Sequence, residues 1–432
     1  MNEMELKNIR GVDDYLPKKQ IIRNNIINVL TETFESYGYL PLETSTLCYF
    51  DLLASKYAGG SEILKEVYKL SDQGKRELGL RYDLTVPFAK VIAMNKDLQL
   101  PFRRYEIGKV YRDGPVKTGR DREFYQCDVD VCGISGALVE AELMTMAKKC
   151  YNKLGIDIYI EWNNRKLLSG LITEAGISED MVTKVILSVD KLAKIGEDGV
   201  FSELEEYNID RSALDTLFSY FKMEIDSFKE KFGNSSNRLL LEGIDEVLEL
   251  SSYLEKLGLG ECRFTPYLAR GLEIYTGTVW EVFDSEKRVT CSIGAGGRYD
   301  KIITNFIDDG NSYPAVGMTF GLVPIYEILT MSCENTSKGL YDLYIIPMDT
   351  EIFSLELANK IRDKGIKVII EMNKRKVKKA LDWANRNSIP YVMVIGDKEI
   401  DNGRLEIRDM NNSNNIEFGI NDIEGMVDIL IK

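Results

Sequence analysis

Residues 102–133, FRRYEIGKVYRDGPVKTGRDREFYQCDVDVCG, constrain the fold of this chain more than any other segment, because they dictate an antiparallel hairpin with two unlike faces. Two strand-like runs flank DGPVKTG, whose glycines and proline suit a hairpin loop. Side chains alternate between the faces of a strand. Tyr125, Cys127, Val129 and Val131 therefore share one face, and Phe124, Gln126, Asp128 and Asp130 share the other. On the first run Arg104, Glu106 and Arg112 share a face, while Arg120 and Arg122 lead into the second run. Such a charged face has two readings. It is a solvated surface laced with cross-strand ion pairs, or it is a polar floor where guanidinium groups hold phosphate oxygens and carboxylates orient a polar ligand.

Around the hairpin the chain changes texture three times. Residues 1–330 mix helical and strand periodicity. Within Gln20–Ser36 the spacing of Ile22, Ile26, Val29, Leu30 and Phe34 predicts a helix, and beyond Gly38 a strand-like run is interrupted by Pro41. From 166 to 258 the strand signals vanish and Glu, Lys, Leu and Ser recur at helical spacing, which predicts a helical insertion within the first domain. Residues 331–339, MSCENTSKG, read as a linker. Residues 340–432 alternate strand and helix, as in a small sheet with crossover helices. The expected fold is an α+β domain built on an antiparallel sheet with flanking helices and a helical insertion, followed by a small α/β domain.

Composition narrows the chemistry. There is no histidine among the 432 residues, which excludes every mechanism that needs an imidazole base or ligand. Compositional drift accounts for this absence, and so does economy in an enzyme that must be made when histidine is scarce. The seven cysteines, Cys48, Cys127, Cys132, Cys150, Cys262, Cys291 and Cys333, are odd in number and form no CxxC pair. They predict neither a disulfide framework nor a thiolate zinc site, and read as small buried hydrophobes. No apolar run reaches the roughly 20 residues that span a bilayer. The N-terminus is charged and lacks a secretory h-region, so a cytoplasmic protein without membrane attachment is expected. A net charge of −14 argues against DNA or indiscriminate RNA binding, yet permits one basic docking face. The cluster Lys364, Lys367, Lys374, Arg375, Lys376, Lys378, Lys379 and Arg386 is the candidate. Lys374, Arg375, Lys378 and Lys379 fall near a helix start, where the dipole favours phosphate; the alternative is a solvated helix face.

Several stretches, in one order, resemble a known family. Tyr111-Arg112, Gly119-Arg120 and Arg122-Glu123-Phe124-Tyr125-Gln126 resemble motif 2 of class II aminoacyl-tRNA synthetases, and specifically the histidine–tRNA ligase family. LRYDLTVPFAK (80–90) resembles its substrate-amino-group loop, RGLEIYTGTVWEVF (270–283) its histidine signature, and GAGGRYD (294–300) its glycine-rich companion. The first helix with Gly38 and Pro41 resembles the dimer-forming motif 1, and the last hundred residues resemble the anticodon-binding domain. The resemblance spans essentially the whole chain. It implies ATP-dependent activation of L-histidine and transfer through a histidyl-adenylate to tRNA(His). It also implies a homodimer, with Mg²⁺ accompanying ATP and no dedicated side-chain metal cluster. Arg112 would bind the substrate carboxylate and the α-phosphate, with Arg270 on the opposite side of that phosphate. Asp83, Thr85 and Gln126 would hold the histidine ammonium and carboxylate, and Asp130 and Tyr275 the two imidazole nitrogens. Arg120, Glu123 and Tyr299 would lie around ATP and its Mg²⁺. Thr85 as a helix cap and Tyr299 as a core residue remain open readings. No general base is implied, so the chemistry would rest on positioning and electrostatics.

The chain departs from the family pattern in three places. The third motif normally ends in a Glu-Arg pair whose arginine grips ATP; here Val323 and Pro324 stand there, so ATP must be held differently. The acid expected two places after Arg112 is replaced by Gly114, with Asp113 one step early. Ile274 replaces the first of two signature tyrosines, while Tyr275 remains. These departures sustain a second reading, a non-charging relative such as a histidine-sensing regulatory subunit of ATP phosphoribosyltransferase, and a third, a non-catalytic RNA-binding or regulatory paralogue. The intact motif 2 arginines and the apparent anticodon-binding domain speak for the ligase.

Overall fold

The computed structural model describes residues 6–55, 62–116, 121–270, 274–332 and 340–431. Arg120, Cys333 and most of the expected linker lie outside the described residues. The chain divides into two compact units, Met1–Leu329 and Thr330–Lys432.

The first unit is built on an eight-stranded sheet. Its strands are β1 (Leu40–Pro41), β2 (Phe102–Tyr111), β3 (Glu123–Cys132), β4 (Ile158–Asn164), β5 (Cys262–Phe264), β6 (Thr278–Asp284), β7 (Gly294–Arg298) and β8 (Ala315–Gly321). Their spatial order is β1-β2-β3-β8-β7-β6-β4-β5. The central pairs are antiparallel, and only the edge pairs β1–β2 and β4–β5 are parallel. Pro41 sits on the edge strand, where its missing N–H breaks no ladder. The hairpin forms as its alternation predicts, with Phe102 opposite Cys132 and Tyr111 opposite Glu123. Cys127, Val129 and Val131 are fully buried on the apolar side of the sheet. That side is covered by helices α1 (Pro17–Ser36) and α2 (Leu138–Lys153), with Ile26, Leu30 and Phe34 of α1 in the same apolar cluster. Pro17 starts α1, where a proline ring matches the first turn and no hydrogen bond is lost.

Between Arg165 and Lys256 the chain forms helices and turns only. Leu167, Leu171, Leu214, Leu240 and Leu254 from these helices join the cluster behind the sheet, so this region extends the first unit's core and has none of its own. A three-stranded antiparallel sheet (Leu47–Tyr49, Glu77–Leu80, Lys69–Ser71) stands beside the polar face.

The second unit holds a five-stranded sheet of β9 (Leu343–Pro347), β10 (Val368–Ile370), β11 (Tyr391–Ile395), β12 (Arg404–Asp409) and β13 (Asn415–Gly419), in the order β10-β9-β11-β12-β13. The β9–β10 and β9–β11 pairs are parallel and the remaining two antiparallel. Apolar residues lie on both faces, beneath helices Glu351–Arg362 and Ile423–Leu430 on one side and α3 (Val377–Arg386) on the other. Burial on both faces explains the continuous apolar runs LYIIP and YVMVI. Strand β13 carries no such run; its half-exposed NIEFG pattern is that of an edge.

Candidate active site

The polar face of the hairpin is not a solvated surface. It forms the floor of a cleft of about 360 Å³. Along its floor runs a row of buried charges. Arg81 Nη1 donates to Glu106 Oε1 at 2.8 Å, and Thr44 donates to the same oxygen through N (2.9 Å) and Oγ1 (2.8 Å). Arg104, 0% exposed, has Nη1 3.6 Å from Glu106 Oε2 and Nη2 2.7 Å from Asp130 Oδ2. Arg104 also donates to Leu84 O and lies over the Phe88 ring, 4.7 Å from its centroid. The Tyr299 hydroxyl donates to Asp130 Oδ1. Gly317 of β8 faces Asp130, and a Cβ there would stand 1.9 Å from Asp130 Oδ1, so only glycine leaves room for this carboxylate.

One buried carboxylate stands outside the balanced row. Asp128, 4% exposed, lines the cleft next to Gln126 and Asp130. It stands directly across the ladder from Thr319, and its Oδ1 has no hydrogen-bond partner. Burial, and then the neighbouring Asp130 charge, push its carboxyl up to about 7, while Arg104 opposes this. Asp130 is also raised, mainly by burial, against the lowering effect of Arg104. Gln126 Oε1, Asp130 Oδ2 and Arg104 Nε and Nη1 are likewise buried without a hydrogen-bond partner.

The other end of the cleft is cationic and aromatic. Arg112, half-buried, lies over the rings of Tyr82 (4.3 Å) and Phe124 (4.9 Å) and reaches Tyr82 O with Nε at 3.4 Å. Phe124 and Asp130 are about 20 Å apart along β3 at the usual rise of a strand. Leu322, Val323 and Pro324 add an apolar wall. Pro324 belongs to the first turn of the helix Leu322–Ser332, where a proline is tolerated. Arg270 donates to Glu281 Oε1 at 2.9 Å, and its guanidinium carbon lies 5.6 Å from the centroid of the Tyr275 ring. Burial raises the Tyr275 phenol, and Arg270 partly offsets it.

Asp83, Thr85, Arg112, Gln126, Asp130, Arg270, Tyr275 and Tyr299 thus all line one cleft. Asp83 Oδ1 accepts the Val86 N–H at 3.0 Å and so starts the helix Thr85–Met94; Thr85 is its first residue and makes no cap bond. Two expectations are corrected. Glu123 does not line the cleft: it is odd-numbered on a period-two strand, falls on the opposite face, and pairs with Lys109 at 2.6 Å. Tyr299 does not lie at the guanidinium end; its bond to Asp130 holds it at the carboxylate end, among Phe88, Ile303 and Ala315. A residue the sequence did not single out, Glu66, brings a carboxylate against Gly114, where a Cβ would lie 2.9 Å from Oε1. It takes up the space of the expected acid from a distant turn, with Asp113 N bonded to Glu66 O at 2.7 Å.

In the second unit Lys374 pairs with Glu351 (3.0 Å) and Arg375 with Glu371 (2.6 Å), while Lys378 and Lys379 are exposed in the first turn of α3. The six described cysteines are free; four are buried, Cys262 is half-buried and Cys291 is exposed. No helix among the described residues is long and apolar enough to cross a membrane.

Comparison with known proteins gives consistent matches. A family model described as histidyl-tRNA synthetase matches residues 11–325, and one described as an anticodon binding domain matches residues 342–428. Histidine–tRNA ligase 1 of Bacillus cereus is 47% identical over 97% of this chain and 99% of its own length. Histidine–tRNA ligase of Clostridium acetobutylicum is 34% identical over 95% of this chain and 96% of its own. A histidyl-tRNA synthetase structure from Nostoc sp. PCC 7120 has a TM-score of 0.86 at 26% identity, covering 98% of this chain and 99% of that one. A Bacillus halodurans structure described as an ATP phosphoribosyltransferase regulatory subunit/histidyl-tRNA synthetase shares the fold, with a TM-score of 0.76 at 21% identity over 91% of this chain and 99% of that one.

Proposed function

The chain belongs to the histidyl-tRNA synthetase family and is a ligase that charges tRNA with histidine, and from that premise we propose that the two ends of its cleft divide the work of activation. The observation that carries this division is the floor of β3, with Phe124 under a guanidinium at one end and buried carboxylates at the other. At the carboxylate end, Asp83, Thr85 and Gln126 hold the ammonium and carboxylate of histidine. Tyr275, which lines the cleft, donates its O–H to a ring nitrogen. At the other end, Arg112 neutralises the charge that builds on the α-phosphate as the histidine carboxylate attacks and pyrophosphate leaves. Arg270 approaches the same phosphate from the histidine side. The adenine lies against Phe124 and the wall of Leu322, Val323 and Pro324, where van der Waals contact stands in for the absent motif 3 arginine. A ribose hydroxyl of the tRNA then attacks the adenylate. Positioning and charge stabilisation suffice for both steps, in a chain without histidine.

Mg²⁺ arrives with the triphosphate, held mainly by phosphate oxygens. Arg120 takes part in binding ATP. The second unit, preceded by a linker, reads the anticodon, with Lys378 and Lys379 free for RNA phosphates and Lys374 and Arg375 in part occupied. The protein acts as a cytoplasmic homodimer through α1 and the β1 edge, where Ile21 and Leu40 are exposed apolar residues. The regulatory-subunit reading is not favoured, because relatives matched over nearly the whole chain are ligases and an anticodon-binding domain is matched. ATP–pyrophosphate exchange tested with each amino acid is expected to proceed with histidine alone. Exchange driven by another amino acid, or by none, would reject the assignment.

A further inference from the structure

We propose that residues 9–16, the segment before α1, clamp the turn end of the β2–β3 hairpin and so hold the backbone from which Arg112 reaches the substrate, with Gly11 and Arg23 as positioning residues. This rests on the function proposed above, which puts Arg112 at the α-phosphate, and deepens it by naming what holds that arginine in place.

The need for a clamp follows from the register of the sheet. Strand β8 pairs with β3 only as far as Gln126, opposite Gly321, whereas β2 and β3 stay paired to Tyr111 and Glu123. The end of the hairpin that carries Arg112 therefore runs past its neighbour, and a two-stranded ribbon by itself is marginally stable. Residues 9–16 meet it there. The carbonyl oxygen of Gly11 accepts the N–H groups of Arg122 (2.8 Å) and Glu123 (3.1 Å). The carbonyl of Arg122 in turn accepts the N–H of Arg112 at 2.9 Å, so a single residue relays the position of Gly11 to the arginine. The Arg122 side chain ties the two arms together, its Nε donating to Gly114 O at 3.2 Å. Only glycine suits this contact. Gly11 has a φ of +80°, and a Cβ there would lie 2.7 Å from Val116 Cγ2 and 3.1 Å from the Arg122 nitrogen.

The other end of the clamp is fastened to α1. The segment runs directly into Pro17, and the guanidinium carbon of Arg23 lies 3.7 Å from the centroid of the Tyr15 ring and 5.5 Å from that of Tyr125 on β3. Arg23 is 3% exposed, and its Nε and Nη1 are buried without a hydrogen-bond partner. A buried cation with orphaned donors is a poor source of stability, and an apolar side chain would pack α1 at less cost. What a guanidinium adds is attraction to both ring faces, which fixes clamp and hairpin against one helix. The clamp itself is thinly covered, with Ile9, Asp13 and Asp14 exposed, so it adds little to the core. It holds the Arg112 backbone and leaves the guanidinium, resting on Tyr82 and Phe124, able to follow the phosphate.

A positioning role separates kcat from binding and from stability. In the full-length protein, Gly11→Ala is expected to lower kcat in histidine-dependent ATP–pyrophosphate exchange about 10- to 100-fold, because it pushes the clamp off the hairpin and displaces Arg112. The KM for histidine should stay within about 2-fold and the melting temperature within about 3 °C of the unaltered protein. Adding Val116→Ala removes the methyl group that the new Cβ meets and should recover at least about 3-fold of the lost kcat. Arg23→Met should lower kcat about 5- to 10-fold with the melting temperature equally unmoved, since a buried cation is exchanged for an apolar chain of similar length. A kcat for Gly11→Ala within about 2-fold of the unaltered protein would overturn the inference, and so would a double variant no faster than Gly11→Ala alone. A histidine KM that rises in step with the fall in kcat, or a melting temperature lowered by more than about 3 °C in both variants, would show structural residues and overturn it as well. Absence of histidine-dependent exchange in the unaltered protein would instead reject the proposed function, and this inference with it; exchange that proceeds and ignores Gly11→Ala rejects this inference alone.

Discussion

The two ends of the cleft stand on the same strand but are built by different rules. At the carboxylate end the charged side chains are held by partners from other elements: Asp130 by Arg104 from β2 and Tyr299 from the turn after β7, Glu106 by Thr44 and Arg81. At the cationic end Arg112 rests on the faces of Tyr82 and Phe124, with one long bond to a carbonyl. Selecting a side chain by its hydrogen bonds requires acceptors and donors that cannot turn to suit a wrong ligand. Handling a phosphate that moves through a displacement requires cations that can follow it. The contrast assigns specificity to the rigid end and chemistry to the adaptable one.

Substitutions at the two ends should separate these roles. The largest effect is expected for Arg104→Met. It leaves Asp130 buried without its cation and should cost about 3–5 kcal/mol of stability, read from the denaturant midpoint. A midpoint near that of the unaltered protein would show that the rigid end is less coupled than described. Arg112→Ala should instead keep the midpoint and lower kcat about 100- to 1000-fold, with little change in the KM for histidine. A parallel rise in that KM would place Arg112 at the specificity end. Pro324→Arg restores a cation to the apolar wall and should lower the KM for ATP about 10-fold through charge-assisted contacts; no change would mean that the wall does not face the nucleotide.

Acidity gives a finer test of the rigid end. The groups that face Asp128 are Asp130, Arg104, Asp83 and Thr319. Its carboxyl is raised from 3.8 to about 7, so between these values the folded state holds a proton that the unfolded chain has released. Stability from this group is complete at low pH and is lost as pH rises through about 7. Melting temperatures of Asp128→Asn should therefore decline less between pH 5 and 8 than those of the unaltered protein. Parallel curves would remove Asp128 as the source of that slope. The smallest effect is expected in the second unit, where Lys378→Ala with Lys379→Ala should weaken tRNA binding a few-fold and reduce its salt dependence by about 1–2 in the log–log slope.

Much of this arrangement was legible in the sequence. Period two alone separated Cys127, Val129 and Val131 from Gln126, Asp128 and Asp130, and the structure keeps that separation. Glu123 has the parity of Cys127 and pairs with Lys109 outside the cleft lining, although the resemblance to motif 2 had drawn it in. What one strand could not disclose is which acids are already paired. The partners of Asp130 come from residues 26 positions before and 169 after it in the fold's wiring, Arg104 and Tyr299, and only the folded sheet brings them together. Glu66 was invisible for the same reason, since nothing local tells a turn that it will stand against Gly114. Strand β13 was missed because an exposed edge strand needs no apolar alternation.

The most direct test of the division is a crystal structure of the full-length protein with a non-hydrolysable histidyl-adenylate analogue. The account predicts the imidazole at the carboxylate end beside Tyr275, and the phosphate mimic within reach of Arg112 and Arg270. An imidazole lying at the Arg112 end, or a phosphate mimic out of reach of both arginines, would contradict it.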